Sequence, residues 1–457
     1  MNYVLVHSGT DGTTGYFNCV PDPKPGLADA LRQLDAWPQD TFLRNWLVSA
    51  LAKVSSPELQ SLAVQFANSQ TVSSFLHSLA CAKPVAAAAS HAWRDNIASH
   101  LPCPSADSWG IDPGKAREAA CIMRSREGTL KRLWKSRSPV EAARPDQEQV
   151  LARAAGALAA AGILAGPEMR HEASLCPIAL LREWHLDAGS ELGRPYTLTG
   201  RLTAYGRGLK LLQARISCLM EIAERASAFA AVDAKGRIWG RQIVVASSDE
   251  LGDCSHLDLN WLGAGHAADA LYWMPGETAA GEPVLVPCQA ACLFLNLDEP
   301  DLFSSVGSTG LAAGASQTQA RLAALTEVIE RDSHATTPFL PGACFIPQSR
   351  DPLIQGLLDD YRCRGIHVQM QDITTELGVP CYRSFVMGRE GAIAQATGAG
   401  LDGKRAALSA LTETPWPYSW ATGAFSPSGR GLADLPCRFL EDLPNYSLAD
   451  DAANLRL

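Results

Sequence analysis

Two short segments of this 457-residue chain pair carboxylates with an arginine: Glu221-Ile-Ala-Glu224-Arg225 and Glu327-Val-Ile-Glu330-Arg331. On a helix, residues three apart project from the same side, so each segment presents two carboxylates on one face with a cation beside them. If the two helices approach each other, four carboxylates share a small volume, and like charges that close cannot all stay ionised without a cation. Oxygen-rich clusters suit Mg2+, which usually keeps some waters and bridges carboxylates to the phosphates of a nucleotide. One isolated segment of this kind is usually a solvated helix face with an internal ion pair. Two in the same register favour the metal reading.

The register extends beyond the carboxylates. Counting back from Glu221, Glu327 and Glu413, a leucine stands two residues earlier (Leu219, Leu325, Leu411), an alanine seven earlier (Ala214, Ala320, Ala406) and a glycine thirteen earlier (Gly208, Gly314, Gly400). Each copy reads as a glycine-rich loop followed by an amphipathic helix whose Ala and Leu face the core. The copies stand too far apart for a solenoid and suggest one domain built from similar loop–helix units. The loops Gly206-Arg207-Gly208, Gly310 to Gly314 and Gly398-Ala-Gly400 open these helices. Backbone amides at a helix N-terminus, with the positive dipole end behind them, make a seat for phosphate oxygens. There is no Walker A sequence, and no GxGxxG follows a strand.

The elements that must position these residues follow from pattern. Helical runs are expected at Leu27–Leu34, Thr41–Val54 and Pro57–Ala67, after a short strand and turn around Tyr3–Val6. A charged, proline-broken stretch near Arg124 to Gln149 marks a boundary. An alanine-rich helix over Gln147–Ala160 then leads into strand-like runs at Gln242–Ala246, Pro283–Pro287, Ala291–Leu295, His367–Met370 and Cys381–Val386, alternating with helical patterns. The expected architecture is an α/β (α+β) domain at 146–457 with repeated Gly-loop/helix units, preceded by a mostly helical N-terminal domain at 1–145 whose role is unknown.

A formal net charge of −9 argues against a general nucleic-acid binder. With 47% apolar and 19% charged residues the chain can bury a core. Its 13 cysteines form no CxxC pair, and the N-terminus MNYVLVHSGTDG has neither a basic nor an apolar leader region. A reduced, cytoplasmic protein without a membrane span is expected.

The segment Ser308-Thr-Gly-Leu-Ala-Ala-Gly314 through Ala320 to Glu327-Val-Ile-Glu330-Arg331-Asp332 resembles the signature segment of YcaO proteins, and Ser217 to Glu221-Ile-Ala-Glu224-Arg225 looks like their first motif, SxxxExxER. Weaker echoes are Trp273-Met-Pro-Gly with Gly281 to Pro287, Asp372-Ile-Thr with Gly378-Val-Pro380, and Gly398 to Glu413. The resemblance runs over roughly residues 160–457 in the family's order. It implies ATP and Mg2+ as cofactors and activation of a peptide-backbone amide in a ribosomally made precursor peptide. The products would be azoline heterocycles, from a cyclodehydratase, or a thioamide, from a thioamide synthetase. By position, Glu221, Glu224, Glu327 and Glu330 would hold Mg2+. Ser217, Arg225, Gln319 and Arg331 would lie around the nucleotide, Arg207 would stand where a loop lysine often faces the phosphates, and Glu413 would be the third-motif acid.

The departures from the family pattern are also specific. Thr309 replaces the asparagine of SNG, Ala315 the asparagine after AxG, Gln319 the glutamate before Ala320, and Ser409 the arginine four residues before Glu413, while Pro415 and Pro417 interrupt the following helix. They define an alternative, a catalytically idle YcaO-like scaffold or regulatory subunit. Residues 1–145 show no leader-binding fingerprint. The resemblance therefore implies a separate ThiF-like or leader-binding protein, with a TfuA-like protein or an azoline dehydrogenase as further partners, in a homo- or hetero-oligomer.

Other residues carry weaker chemistry. Cys254-Ser-His256 with His266 lacks a second Cys/His pair at zinc spacing. Cys288 and Cys292 read as buried thiols in a strand-like run. His334 reads as a helix-end histidine making an ordinary hydrogen bond, with a base in the cleft as the sharper alternative. Ser308 lacks a GxSxG context. Trp416 to Trp420 could line a peptide groove or anchor packing.

Overall fold

The computed structural model describes residues 1–8, 16–52, 54–80, 145–171, 174–193, 195–252, 254, 256–257, 259, 268–302, 307–337, 344–363, 365–375, 377–387, 393–415 and 438–439. Most of the stretch from Arg124 to Gln149 expected to mark a boundary, Trp416 to Trp420 and His266 lie outside the described residues. Two compact units emerge, each assembled from three stretches of chain: Met1–Ala116, Leu186–Arg201 and Ala228–Gly307 in the first, and Arg117–His185, Leu202–Ser227 and Ser308–Leu457 in the second. Neither unit is a continuous half of the sequence, and the strands Ile178–Ser190 and Tyr196–Gly208 each have residues in both.

In the first unit, strand Asn2–Ser8 pairs antiparallel with Tyr16–Pro21 and parallel with Tyr196–Gly208 through Tyr3 opposite Leu198. Helices Leu27–Ala36, Thr41–Ala50 and Ser56–Gln65 and helical residues 70–80 close around Leu31, Leu34, Leu43, Leu47, Leu59 and Leu76, all fully buried. The caps explain where these helices begin. Asp40 accepts the Leu43 amide at 2.9 Å, and Ser55 forms a reciprocal capping box with Glu58. A three-stranded antiparallel sheet of Val244–Ala246, Leu271–Glu277 and Pro283–Pro287 completes this unit.

The run Ala291–Leu295 is not a strand. Cys288–Ala291 is a single helical turn after Pro287, because Cys-Gln-Ala-Ala has no β-branched residue to hold it extended. Cys288 and Cys292 are buried thiols, as expected, although in a turn and its exit rather than a strand, and burial pushes both up.

The second unit carries the repeats. Helix Gln147–Ala160 precedes strand Leu164–Arg170, which lies antiparallel to Ile178–Ser190. A separate antiparallel sheet runs Cys344–Phe345, His367–Asp372, Cys381–Met387, Ile393–Ala399. Helices Pro352–Cys363 and Gly403–Glu413 pack on it around Leu357, Tyr361, Met370, Val386, Ala410 and Leu411.

The three loop–helix copies share one steric device. A Cβ on Gly208 would lie 2.7 Å from the Ala214 nitrogen, on Gly314 2.8 Å from that of Ala320, and on Gly400 2.8 Å from that of Ala406. In every copy the loop presses against the first turn of its own helix, and only glycine opposite alanine leaves room. The leucines do not all follow suit. Leu219 and Leu411 are buried, whereas Leu325 is 62% exposed. In helix Gln317–Thr336 only Glu330 and Ser333 are buried, so here the polar side, not an apolar stripe, faces the protein.

Candidate active site

Strand Tyr196–Gly208 turns through Arg207 and Gly208 into helix Leu211–Ala228, which carries Ser217, Glu221, Glu224 and Arg225. Helix Gln317–Thr336, capped by Ser316 on the Gln319 amide, carries Glu327, Glu330 and Arg331. Helix Gly403–Glu413, capped by Asp402, ends at Glu413. All of these residues belong to the second unit.

Donors from outside their own helices seat two of the carboxylates. Glu221 Oε2 accepts the Tyr205 amide at 3.1 Å, bending back onto the strand that precedes its own helix. Buried Glu330 accepts the Thr397 hydroxyl at 2.6 Å through Oε1 and the Ala399 amide at 3.0 Å through Oε2. Its donors come from the strand that opens the third copy. Ion pairs join Glu224 to Arg225 at 3.2 Å and Glu327 to Arg331 at 3.6 Å.

The electrostatics link the three helices. Burial raises the Glu224 carboxyl to about 7; Arg225 opposes the rise, while Glu327 and Glu221 add to it. Glu221 is raised by burial against Arg225, the Tyr205 amide and Arg207. Burial also raises Glu327, with Arg331 and Arg225 opposing and Glu330 adding. Part of Glu413 meets solvent, yet it is ringed by protein and pushed up to about 7 by desolvation and then by Glu330, with Arg207 and Arg331 pulling down. Five carboxylates from three helices therefore feel one another in sequence, interleaved with three guanidinium groups.

The chemistry of this set suits Mg2+. The donors are hard carboxylate oxygens, and burial, with mutual repulsion adding for Glu224, Glu327 and Glu413, holds these three above the ordinary carboxylate range, the state a dication relieves. Among the described residues no three His, Cys, Asp or Glu side chains are drawn together tightly enough to hold a metal by themselves. Mg2+ commonly takes one or two carboxylates with waters and phosphate oxygens, so the cluster fits an ion shared with a nucleotide better than a metal caged by protein. The buried Nε of Arg207 has no hydrogen-bond partner among the described residues, which leaves a guanidinium donor open at the loop.

Two expected positions stand apart from this cluster. Ser217 is exposed four residues before Glu221, on the same helix face. Gln319 Oε1 accepts the Ala315 amide at 3.0 Å, as Gln213 Oε1 accepts the Leu209 amide at 3.2 Å in the first copy. Gln319 thus closes its loop onto its helix, and no contact ties it to the carboxylates. The other departures are also used locally. Ser409 donates to Glu413 at 3.4 Å, and the Ala315 carbonyl accepts Arg153 at 3.0 Å.

Three neighbours escaped sequence reasoning. Thr397 and its strand gave no signal in the motif register. Arg383, buried on strand Cys381–Met387, donates to the carbonyls of His334 at 2.9 Å and Thr337 at 3.0 Å, placing a cation at the C-terminal end of the Glu330 helix. His334 uses its backbone carbonyl here, while its Nδ1 is buried without a partner among the described residues, so the ordinary side-chain hydrogen bond expected of it is not seen at that atom. The third is His171, just after strand Leu164–Arg170, whose ring lies 4.8 Å from that of Tyr205.

Residues 205–415 match the family model described as YcaO cyclodehydratase, ATP- and Mg2+-binding. This stretch of the chain is a YcaO domain. The match begins at Tyr205 and ends two residues after Glu413, so it brackets all three loop–helix copies, and the domain it defines is one that binds ATP and Mg2+. An uncharacterized protein of Methanothermobacter thermautotrophicus is 29% identical over 237 residues, covering 48% of this chain and 58% of that protein. One from Rhizobium leguminosarum bv. trifolii, described as lying in the tfuA 3' region, is 29% identical over 158 residues, covering 31% of this chain and 37% of that protein. The chain therefore spans less than two thirds of the length of these relatives.

Similar solved structures include YcaO from Methanopyrus kandleri bound with AMPPCP and Mg2+, at TM-score 0.44, 19% identity and coverage of 59% and 65% of the two chains. Another is a heterocyclase in complex with substrate and cofactor, at TM-score 0.44, 19% identity and coverage of 60% and 41%. The described residues themselves form helices and sheets in the mixed α/β class expected from the sequence. Among the described residues no helix is long and apolar enough to cross a membrane.

Proposed function

We propose that this protein uses ATP and Mg2+ to activate a backbone amide of a ribosomally made precursor peptide, giving azoline heterocycles or a thioamide as a subunit of a modifying complex. The observation that carries the reading is the chain of coupled carboxylates, Glu221, Glu224, Glu327, Glu330 and Glu413, set among Arg207, Arg225 and Arg331. When bound, MgATP supplies the phosphoryl group that turns an amide oxygen into a leaving group. Glu221, Glu224 and Glu327 would hold the metal, with Glu330 reaching it through whatever lone pairs Thr397 and Ala399 leave free. The three arginines would neutralise phosphate charge, so that approach of a neutral amide oxygen is not repelled.

The relative encoded in a tfuA region supports a TfuA-like partner and, with it, the thioamide product. A ThiF-like or other leader-binding protein would deliver the peptide, and an azoline dehydrogenase would follow if rings are the product. The assembly would work in the cytoplasm.

The test is to mix the purified chain, candidate partners and precursor peptide with MgATP and to weigh the peptide. Loss of one water per residue marks an azoline, and exchange of oxygen for sulfur marks a thioamide. Nucleotide binding without modification under any combination of partners would favour the idle-scaffold alternative.

A further inference from the structure

His171 lies outside the three repeats and outside every motif that identifies the family. Its backbone amide donates to the Ala179 carbonyl at 2.8 Å, and its ring sits tilted by 48° over Tyr205. On the other side of Arg207, Cys176 Sγ donates to the Gly208 carbonyl at 3.4 Å. Tyr205, two residues before Arg207, and Gly208, just after it, are thus each held by the segment that joins strand Leu164–Arg170 to strand Ile178–Ser190. The head of Arg207 is not gripped. Its Nε and the Nδ1 of His171 are both buried, and neither has a hydrogen-bond partner among the described residues.

One of these atoms is an obligate donor, and the other is an acceptor whenever the imidazole is neutral with its proton on Nε2. Burial and then the Arg207 charge lower the imidazole to about 4, so it is neutral at physiological pH. Leaving both atoms unpaired costs free energy that a hydrogen bond between them would recover.

We propose that His171 is a positioning residue: in the anion-loaded state its Nδ1 accepts the Arg207 Nε–H and fixes the guanidinium so that its two terminal nitrogens face a phosphate oxygen pair. The idea rests on the reading of Arg207 as a phosphate-facing residue. The planar guanidinium fork can present two parallel N–H donors only if its rotation about Nε is set, and His171 sets it. Lysine at position 207 would have no Nε–H to receive this help.

MgATP binding, measured by calorimetry on the full chain, tests the proposal through substitutions that separate packing from hydrogen bonding. His171→Phe keeps an aromatic ring over Tyr205 and removes Nδ1. His171→Asn returns an acceptor close to the Nδ1 position, whereas His171→Gln moves it toward Nε2. Affinity is expected to fall roughly tenfold in His171→Phe and His171→Gln and to stay within about threefold of wild type in His171→Asn, tenfold being about 1.4 kcal/mol. In an Arg207→Lys background, His171→Phe is expected to cause no further loss. Should His171→Phe fail to fold, the contrast between Asn and Gln decides alone. Equal affinities across the series, or losses that multiply with Arg207→Lys, overturn the positioning role while the ATP site stands. Absence of MgATP binding in the wild type overturns the ATP site and this role together.

Discussion

Glu330 accepts the hydroxyl of Thr397 at 2.6 Å, a buried bond between the helix of the second repeat and the strand that opens the third. A carboxylate expected to serve a metal thus also holds two copies of the repeat in register. The Ala399 amide occupies its other oxygen at 3.0 Å.

Breaking this junction is expected to cost stability before it costs chemistry. Glu330→Ala leaves the Thr397 hydroxyl and the Ala399 amide buried without their acceptor and should destabilise the protein by about 2 kcal/mol or more, and Thr397→Val by about 1.5 kcal/mol. Urea denaturation of the unliganded protein measures both. A midpoint for Glu330→Ala equal to wild type would show that the junction is not made in solution.

Removing a carboxylate that makes no such junction should act on ligand instead. Glu221→Gln and Glu327→Gln are each expected to weaken MgATP binding at least tenfold, about 1.4 kcal/mol, and to leave metal-free nucleotide binding nearly unchanged. Calorimetry with and without Mg2+ reads the difference. Unchanged MgATP affinity in both variants would remove the cluster from the nucleotide site.

Glu224 makes the site sensitive to pH near neutrality. Its folded carboxyl is raised to about 7, so in the unliganded protein its protonated form favours folding. That contribution is complete below the unfolded value near 4.3 and is lost as pH rises through 7. Mg2+ requires the ionised form, so MgATP affinity should climb from pH 6 to pH 8, with protons released on binding at pH 6. Titrations in buffers of different ionisation heat report the release, which should shrink in Glu224→Gln. An affinity flat across this range in the wild type would show that Glu224 does not titrate with the site.

The glycine seats predict a position-specific contrast. Gly208→Ala and Gly400→Ala force a methyl against helix backbone at 2.7 and 2.8 Å and should each destabilise by about 1–3 kcal/mol. Gly156, in helix Gln147–Ala160 with nothing within 4 Å of an added Cβ, should gain about 0.5–1 kcal/mol as alanine. Urea midpoints that move alike in all three variants would contradict the close approach.

What was legible in the sequence is what short-range spacing controls. The Gly–Ala interval reports a contact made within one loop and its own helix, so it survives in a linear reading; so do the ExxER faces and helix Gln147–Ala160. Contacts closed by tertiary structure were not legible. Glu330 finds Thr397 on a strand far along the chain, Arg383 finds the end of the Glu330 helix, and His171, in the link between two strands, meets Tyr205 on a third. No periodicity encodes such meetings. Leu325 failed for a related reason: its register matches Leu219 and Leu411, but the second helix buries Glu330 and Ser333 against the protein, and the matching position falls on the open side.

The three glycine seats also bear on how such a domain can diverge. Each seat fixes a thickness, one strand or loop backbone against one helix backbone, and says nothing about what the helix carries further along. A duplicated unit held by thickness alone is a chassis: its fittings can be exchanged copy by copy, a glutamate for a glutamine at the start of one helix or a serine for an arginine near the end of another, without remaking the frame. Only a methyl group at the seat itself would bend it.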